Sequence, residues 1–572
     1  MNSSSAAILL PSKEEVRGSG RKSAVPGLID SSAKVRPQNF SQPFLRVPPF
    51  PGAHLKTFER ISRSGLDSER AAAEIKRARV GGTFWGARPQ LPDSYVLVAS
   101  ADGIQAAERI ADGRQIVRWT GREGPVSVQG SVISGECDPW HMLAGATVLV
   151  ADTGDELHVI ASLLGCPASE IEPATGEDRA ARIDLHATLE EELGGLFENP
   201  FSDQPMDGLA AIGLCSFWRD LIDSNREIAG GFGFAFWKQS HIAPLLWGGT
   251  EPVRFLRNAA NVASGSHIAV WRSKVSEAVD LELEREGAAL IEVEDGFLRS
   301  RGLGADCVPP LSITVDRLGA HFDPSRESEL ERLLEHGKFD EPLLERARHL
   351  RRSIVDSGLG KYDCSHETFD RPAPGKTHIL VPGQVEDDRA VIRGGCGLVS
   401  NLELLKCVRA QAPDAYVLFK PHPDVLAGHR KGAVAEASAL EYADEIVGDV
   451  PISALIAMVD EVHVNTSLAG FEALLRDKRV TTYGVPFYAG WGLTNDLGPV
   501  PTRRTARRSI DELVAAALIL YPRYFDPVTG LPCPAEVVVT RLSGGGEGDA
   551  SLVVGLRRLQ GKVMRRLRSL VQ

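Results

Sequence analysis

From Gly208 to about residue 530, short strand-like apolar runs alternate with stretches of helical spacing, and few folds accept that pattern. The strand-like runs are Ala211–Cys215, His267–Trp271, Ala289–Val293, Ser312–Val315, His378–Val381, Tyr416–Phe419, Glu445–Val447, Val462–Val464 and Val480–Tyr483. Between them, Glu327–Glu335, Pro342–Ser353, Leu402–Gln411, Ile452–Met458 and Leu468–Arg476 carry helical spacing. Strands that alternate with helices pair in parallel and bury both sheet faces under those helices. The series breaks at Thr368–Lys376, where Arg371-Pro372-Ala373-Pro374-Gly375 has linker composition. The expected architecture is therefore α/β: two Rossmann-type, doubly wound domains, residues 205–370 and 376–530, facing a cleft. Ligands of such sheets sit at the carboxyl ends of the strands.

The upstream part reads differently. Residues 1–80 mix Ser, Pro, Arg and Lys, with Val47-Pro48-Pro49-Phe50-Pro51 unable to hold a helix or central strand, and are expected to be a disordered leader. Residues 90–200 contain two strand-like runs, Tyr95–Ala99 and Thr147–Ala151. The second compares with Val462–Thr466. Counted from the last valine, Thr153 stands where Ser467 stands, and Asp152 replaces Thr466 and would repel a phosphate. Residues 90–200 are thus expected to be a partial or degenerate α/β region.

At 572 residues the chain exceeds a single hydrophobic core. A net charge of −12 argues against general nucleic-acid binding, which rests on cationic neutralisation of phosphates. Its eight cysteines form no Cys-x-x-Cys pair, so neither a metal site nor a disulfide framework is indicated. No signal peptide and no membrane-length apolar run is legible, which makes the cytoplasm the expected compartment.

Four features fall at the strand ends of the last domain: Gly383–Asp388, Lys420–Pro423, Asn465–Ser467 and Gly484–Asp496. Thr466 and Ser467 open a helix, where hydroxyls and unpaired amides hold a phosphate or serve as a plain N-cap. His422, stiffened by flanking prolines, and Lys420 add donors, although each alone reads equally well as structural. In the first domain Glu294 and Asp295 end a strand and face the cleft. Glu386-Asp387-Asp388 approaches from the other side. Carboxylates across a cleft suit glycosyl transfer; an acidic trio also suits a divalent cation or an exposed loop.

At these residues the chain resembles the capsular-polysaccharide β-Kdo transferases of Gram-negative bacteria, the KpsC type. The resemblance rests on Val293-Glu294-Asp295-Gly296-Phe297-Leu298-Arg299-Ser300 with Gly302-Leu303-Gly304, on Pro382–Asp388, on Lys420–Pro423, on Thr466–Leu474 and on Tyr483–Thr494, in the family's order. It implies a GT-B-like pair of domains, 205–370 for the acceptor and 376–530 for the CMP-sugar. It also implies a retaining reaction that moves β-Kdo from CMP-β-Kdo to a glycolipid or polysaccharide acceptor, with no metal and no cofactor beyond that donor. Carried over, it makes Asp388 the nucleophile with Asp387 as its alternate, and Glu294 the acid/base. Lys420, His422, Pro423, Thr466, Ser467 and Gln384 then form the donor site, and Gly484 and Gly490 mark a loop for the cytosine or ribose.

Two departures stand out: only one module is complete, and Arg389 follows Asp388 where the family favours small residues. Transfer of another CMP-linked acidic sugar, or a non-catalytic role in capsule export or assembly, are the competing readings. Leu556, Leu559, Val563, Leu567 and Leu570 recur at helical spacing among six basic residues. This tail, residues 550–572, is expected to form a basic amphipathic helix on an anionic membrane, or else to dock on the protein.

Overall fold

The computed structural model describes residues 40, 42–172, 175–258, 262–275, 277–300, 308–360, 371–428, 430–448 and 450–544. The amphipathic tail and the Gly302-Leu303-Gly304 part of the family-like motif lie outside these residues. Two compact units emerge: one runs to Arg226 and takes in Trp247–Glu251, the other holds Glu227–Leu246 and the chain from Pro252.

The first unit is built on strands β1 (Tyr95–Val98), β2 (Gln115–Thr120), β3 (Val132–Ser134), β4 (Ala146–Asp152) and β5 (Ala168–Ile171), with helices α1 (Leu157–Leu164) and α2 (Gly208–Asn225). The order β3-β2-β1-β4-β5 is parallel throughout, with short antiparallel strands Ser127–Gln129 and Asp178–Ala180 closing the edges. Val96, Val98, Ala107, Val150 and Ile171 form its core. The region expected to be partial is therefore a complete seven-stranded sheet.

This unit begins earlier than the sequence suggested. Val47 and Phe50 are buried, and Phe58 stacks on Trp218 with ring centroids 6.1 Å apart. From Gln42 onward the expected disordered leader is packed structure, because its few apolar side chains find aromatic partners more than a hundred residues away. Ala211–Cys215, expected as a strand, lies inside α2. Ala211, Ile212, Leu214, Cys215, Trp218, Leu221 and Ile222 are its buried face, a 3.6-residue period that a five-residue window cannot distinguish from a strand. Arg219 of this helix is 2% exposed and bonds Asp138 at 2.9 Å, as well as the carbonyls of Arg79 and Phe84.

The second unit contains, in chain order, β6 (Ile228–Phe232), α3 (Phe236–Leu246), β7 (His267–Val270), β8 (Ala289–Asp295), β9 (Ser312–Asp316), β10 (His378–Pro382), α4 (Arg389–Gly394), β11 (Tyr416–Lys420), β12 (Glu445–Ile446), β13 (Glu461–Val464), α5 (Leu468–Leu475), β14 (Arg479–Thr482), β15 (Asn495–Asp496), β16 (Pro522–Asp526) and β17 (Leu531–Cys533). These strands make two sheets. In the C-terminal sheet β12-β11-β10-β13-β14-β15 every pair is parallel, the doubly wound order in which ligands sit beside the first and fourth strands.

The N-terminal sheet departs from the expected pattern. Phe255–Leu256, β6, β7 and β8 are parallel, but β9, β16 and β17 follow as antiparallel neighbours. The chain therefore leaves this sheet, builds the other one, and returns at Pro522. Neither β6 nor the returning pair was anticipated. In β6, Gly230 and Gly231 remove the apolar signal, yet any side chain at Gly231 would press on the Phe234 ring, with its Cβ 2.9 Å away. The boundaries move accordingly: residues 208–226 belong to the first unit, and Pro522–Cys533 complete the N-terminal sheet of the second.

Candidate active site

The carboxyl ends of β8, β10, β11 and β13 open on a single cavity of about 990 Å³ between the two sheets of the second unit. Asp387, Asp388, Gln384, Lys420, His422, Pro423, Thr466 and Ser467 line it from the C-terminal sheet, and Glu294 from the N-terminal one. Several contacts join the walls. Arg389 reaches Glu294 at 3.4 Å, and Phe297 stacks on Phe487 with centroids 4.5 Å apart.

On the C-terminal wall, local chemistry fixes each donor. Ser467 caps α5, its hydroxyl accepting from Ala469 N–H at 3.3 Å. Gln384 bridges from β10, donating to the Thr466 hydroxyl at 2.9 Å and accepting from Thr466 N–H at 3.1 Å. Gln384 is itself held by Asn401, which exchanges two 2.8 Å bonds with its backbone. Lys420 ends β11 and donates to the Gly448 carbonyl at 2.9 Å. His422 Nδ1 accepts from Asp424 N–H at 3.1 Å, so the neutral ring carries its proton on Nε2. These groups make a wall rich in donors at a helix N-terminus, the arrangement that favours an anion.

The carboxylates differ in environment. Asp387 is exposed and forms an ion pair with Arg430 at 3.0 Å. Asp388 caps α4 by accepting from Ala390 N–H at 2.9 Å, and among the described residues it has no ion pair. Glu294 is pushed up to about 8, chiefly by burial and then by the charge of Asp295, against the pull of Arg389. Asp295 receives two cations, Lys238 at 3.4 Å and Arg299 at 3.0 Å. Among the described residues no three His, Cys, Asp or Glu gather as a metal-ligand set, and no helix is long and apolar enough to cross a membrane.

One part of the expected site falls elsewhere. Gly484 and Gly490 do not line the cavity; Gly484 packs against Asn465 and Gly394, and Gly490 donates its N–H to Asp496 at 2.9 Å. In that loop Tyr488 and Trp491 are fully buried, and Arg504 holds the carbonyls of Pro486 and Ala489. Only Pro486 and Phe487 reach the cavity. Conversely, sequence reasoning missed Trp237, Lys238, Trp271 and Lys274, which line the N-terminal wall. Residues just past a strand end are the signal that would have found them: the strand His267–Val270 was legible and points to Trp271 and Lys274, whereas the diglycine of β6 hides Trp237 and Lys238.

The strand-four position of the first unit gives an informative contrast. There β4 leads to α1 as β13 leads to α5, and Arg122 lies two residues past β2 as His422 lies two past β11. There Asp155 accepts from the Leu157 N–H at 2.9 Å and from Arg122 at 2.9 Å, while Arg46 pairs with Glu156.

Two α/β sheets thus present acidic and basic strand ends to one cavity. Residues 267–524 match the family model described as "Capsule polysaccharide biosynthesis protein". The chain is 39% identical over 309 residues to the capsule polysaccharide modification protein LipA of Neisseria meningitidis serogroup A, covering 53% of this chain and 44% of LipA. It is 43% identical over 284 residues to the lipopolysaccharide-processing protein LpsZ of Rhizobium meliloti, covering 49% of this chain and 59% of LpsZ. Among solved structures, the β-Kdo 2,7 transferase of Thermosulfurimonas dismutans KpsC is 34% identical, with a TM-score of 0.46, 56% of this chain covered and 99% of that one. Over about half its length the chain is thus similar to capsule polysaccharide proteins. It spans less than two thirds of the length of the curated relatives it matches.

Proposed function

We propose that the second unit is a retaining, GT-B-like glycosyltransferase that moves β-Kdo from CMP-β-Kdo to a lipid-linked or glycan acceptor in capsule biosynthesis. The observation that carries this reading is the meeting of Asp388, Glu294 and the Lys420–His422–Thr466–Ser467 wall in one cavity. The names of the solved relatives agree with the transferred sugar.

The donor phosphate sits against Ser467, Thr466 and the first amides of α5, with Lys420 and His422 offsetting its charge as CMP departs. Asp388 is the nucleophile: its carboxylate forms a bond to the anomeric carbon as the bond to the phosphate oxygen breaks. The acceptor hydroxyl then displaces Asp388, and its proton passes to Glu294 in its ionised form. Two inversions leave the β configuration unchanged. The ion pair with Arg430 makes Asp387 the poorer nucleophile. A site at the inner membrane face, beside the export machinery, fits a lipid-linked acceptor.

The test is to incubate the full chain with CMP-β-Kdo generated in situ and seek a Kdo adduct on the peptide containing Asp388 by mass spectrometry. An adduct that forms and is cleared on addition of acceptor supports the reading. Absence of any adduct and of any CMP release overturns it.

A further inference from the structure

Arg389 is the first residue of α4, directly after the Asp388 cap, yet its side chain leaves the C-terminal wall of the cavity and reaches the N-terminal one. There it is held at two points. Its Nη1 lies 3.4 Å from Glu294 Oε1, and its guanidinium carbon lies 5.3 Å from the centroid of the Phe322 ring. The far end of α4 is seated on the same neighbour, since a Cβ on Gly394 would fall 3.0 Å from the Phe322 carbonyl and 3.1 Å from the Thr466 methyl. With both ends of a six-residue helix located, a cation on its first turn has a defined reach.

The other charges near Glu294 are committed elsewhere. Lys238 from α3 and Arg299 converge on Asp295, at 3.4 and 3.0 Å. Glu292, two residues earlier on β8, takes Arg272 at 2.7 Å and Arg326. Asp388 lines the same cavity from the opposite wall. Among the described residues Arg389 is the cation paired with Glu294 itself. Burial, Asp295 and Glu292 favour the protonated carboxyl, and Arg389 pulls the other way. The 3.4 Å separation is long for a charged pair, as expected of a carboxyl that still holds its proton; ionisation turns it into a charge-assisted bond. Without a cation, a carboxyl buried in this way keeps its proton beyond the range in which it can accept another.

We propose that Arg389 is a positioning residue that acts through Glu294: anchored beside the nucleophile, it holds the carboxyl across the cleft and readies it to take the proton of the incoming hydroxyl. This deepens the transferase reading and rests on it for the roles of Asp388 and Glu294. One side chain thereby couples the two carboxylates, which stand together only while the contact across the cleft is made.

The test follows the Glu294 proton directly. In the full chain, the carboxyl C=O stretch that Glu294→Gln removes is recorded by infrared difference spectroscopy across a pH series, for the unaltered protein and for Arg389→Met, Arg389→Gln and Arg389→Lys. The unaltered protein is expected to titrate at about 8. Either neutral variant is expected to titrate about one pH unit higher or more, and Arg389→Lys close to the unaltered protein. In turnover the alkaline limb of transfer moves with it, so that transfer at neutral pH falls about tenfold in the neutral variants and recovers as the pH is raised. An unmoved or lowered midpoint in a folded neutral variant overturns the proposal. So does a limb that stays in place while the whole profile drops, the mark of an arginine that only supports the fold. A Glu294 midpoint near the ordinary 4.5 in the unaltered protein overturns it with no Arg389 variant having to fold. Because the titration needs no turnover, a midpoint that moves as expected in a chain that never releases CMP from the donor refutes the transferase reading alone.

Discussion

Glu294→Gln separates the cost of the site from its chemistry. Glu294 keeps its proton to about pH 8 in the folded chain, against an ordinary value of 4.5. Between these two values the folded state holds one proton that the unfolded state has released, so stability falls as pH rises. The slope is about 1.4 kcal/mol per pH unit, giving ~3 kcal/mol by pH 7 and ~5 kcal/mol above pH 8. Glutamine has the same shape and never ionises. The variant should match the parent near pH 4.5 and exceed it progressively to pH 8, after which the difference levels off. Chemical denaturation at half-unit pH steps, followed by a signal from the second unit, measures this directly. The same variant should lose acceptor transfer while still releasing CMP from the donor. Stability curves that run parallel from pH 4.5 to 9 would refute the claim that burial holds this carboxyl neutral.

The other predictions concern separate parts of the molecule. Asp388→Asn should lower transfer by ~1,000-fold or more, whereas Asp387→Asn, which loses an exposed ion pair, should cost less than about tenfold; initial rates decide between them. Transfer by the unaltered protein should rise with pH along a limb centred near 8, because the base form of Glu294 accepts the acceptor's proton, and Glu294→Gln should lack that limb. Gly470→Ala should destabilise by about 1–3 kcal/mol and weaken CMP binding, since its Cβ would fall 2.3 Å from the Tyr488 hydroxyl that bonds the Ser467 carbonyl; calorimetry and CMP titration read the two effects. Arg219→Ala should cost the first unit about 1.5–3 kcal/mol by removing one of the two guanidiniums on the fully buried Asp138, Arg88 remaining at 2.9 Å, as a shift in its thermal midpoint would show.

How far the sequence carries depends on what each element shows its neighbours. The C-terminal sheet was legible almost strand by strand, because β10, β11 and β13 are buried apolar runs bounded by motifs whose residues do face the cavity. The N-terminal sheet was only half legible. The diglycine of β6 hides a strand, and β16 follows a helix through Tyr521, so nothing local reveals that it pairs with β9 some two hundred residues earlier. The Gly484–Gly492 loop misled for a related reason. Its glycines are there because Asn465, Gly394 and Val500 pack close to them, and sequence cannot separate a glycine that admits a neighbour from one that admits a ligand. Thr153 follows β4 ahead of α1, as Ser467 follows β13 ahead of α5. In the first unit Asp155, rather than Asp152, accepts from the Leu157 N–H and engages Arg122.

The return of the chain to the N-terminal sheet makes the linker at residues 371–376 an unsafe place to divide the protein. Cleavage there would leave two fragments that still share a sheet, since β16 lies between β9 and β17. They should co-purify under native conditions and part only in denaturant. A shorter chain ending before Pro522 would instead uncover the edge of β9, a buried strand with unpaired N–H and C=O groups, and should aggregate rather than yield an isolated acceptor domain. An expression boundary that respects the fold therefore lies beyond Ser543, where the last described helix, Ala535–Ser543, has closed over β16.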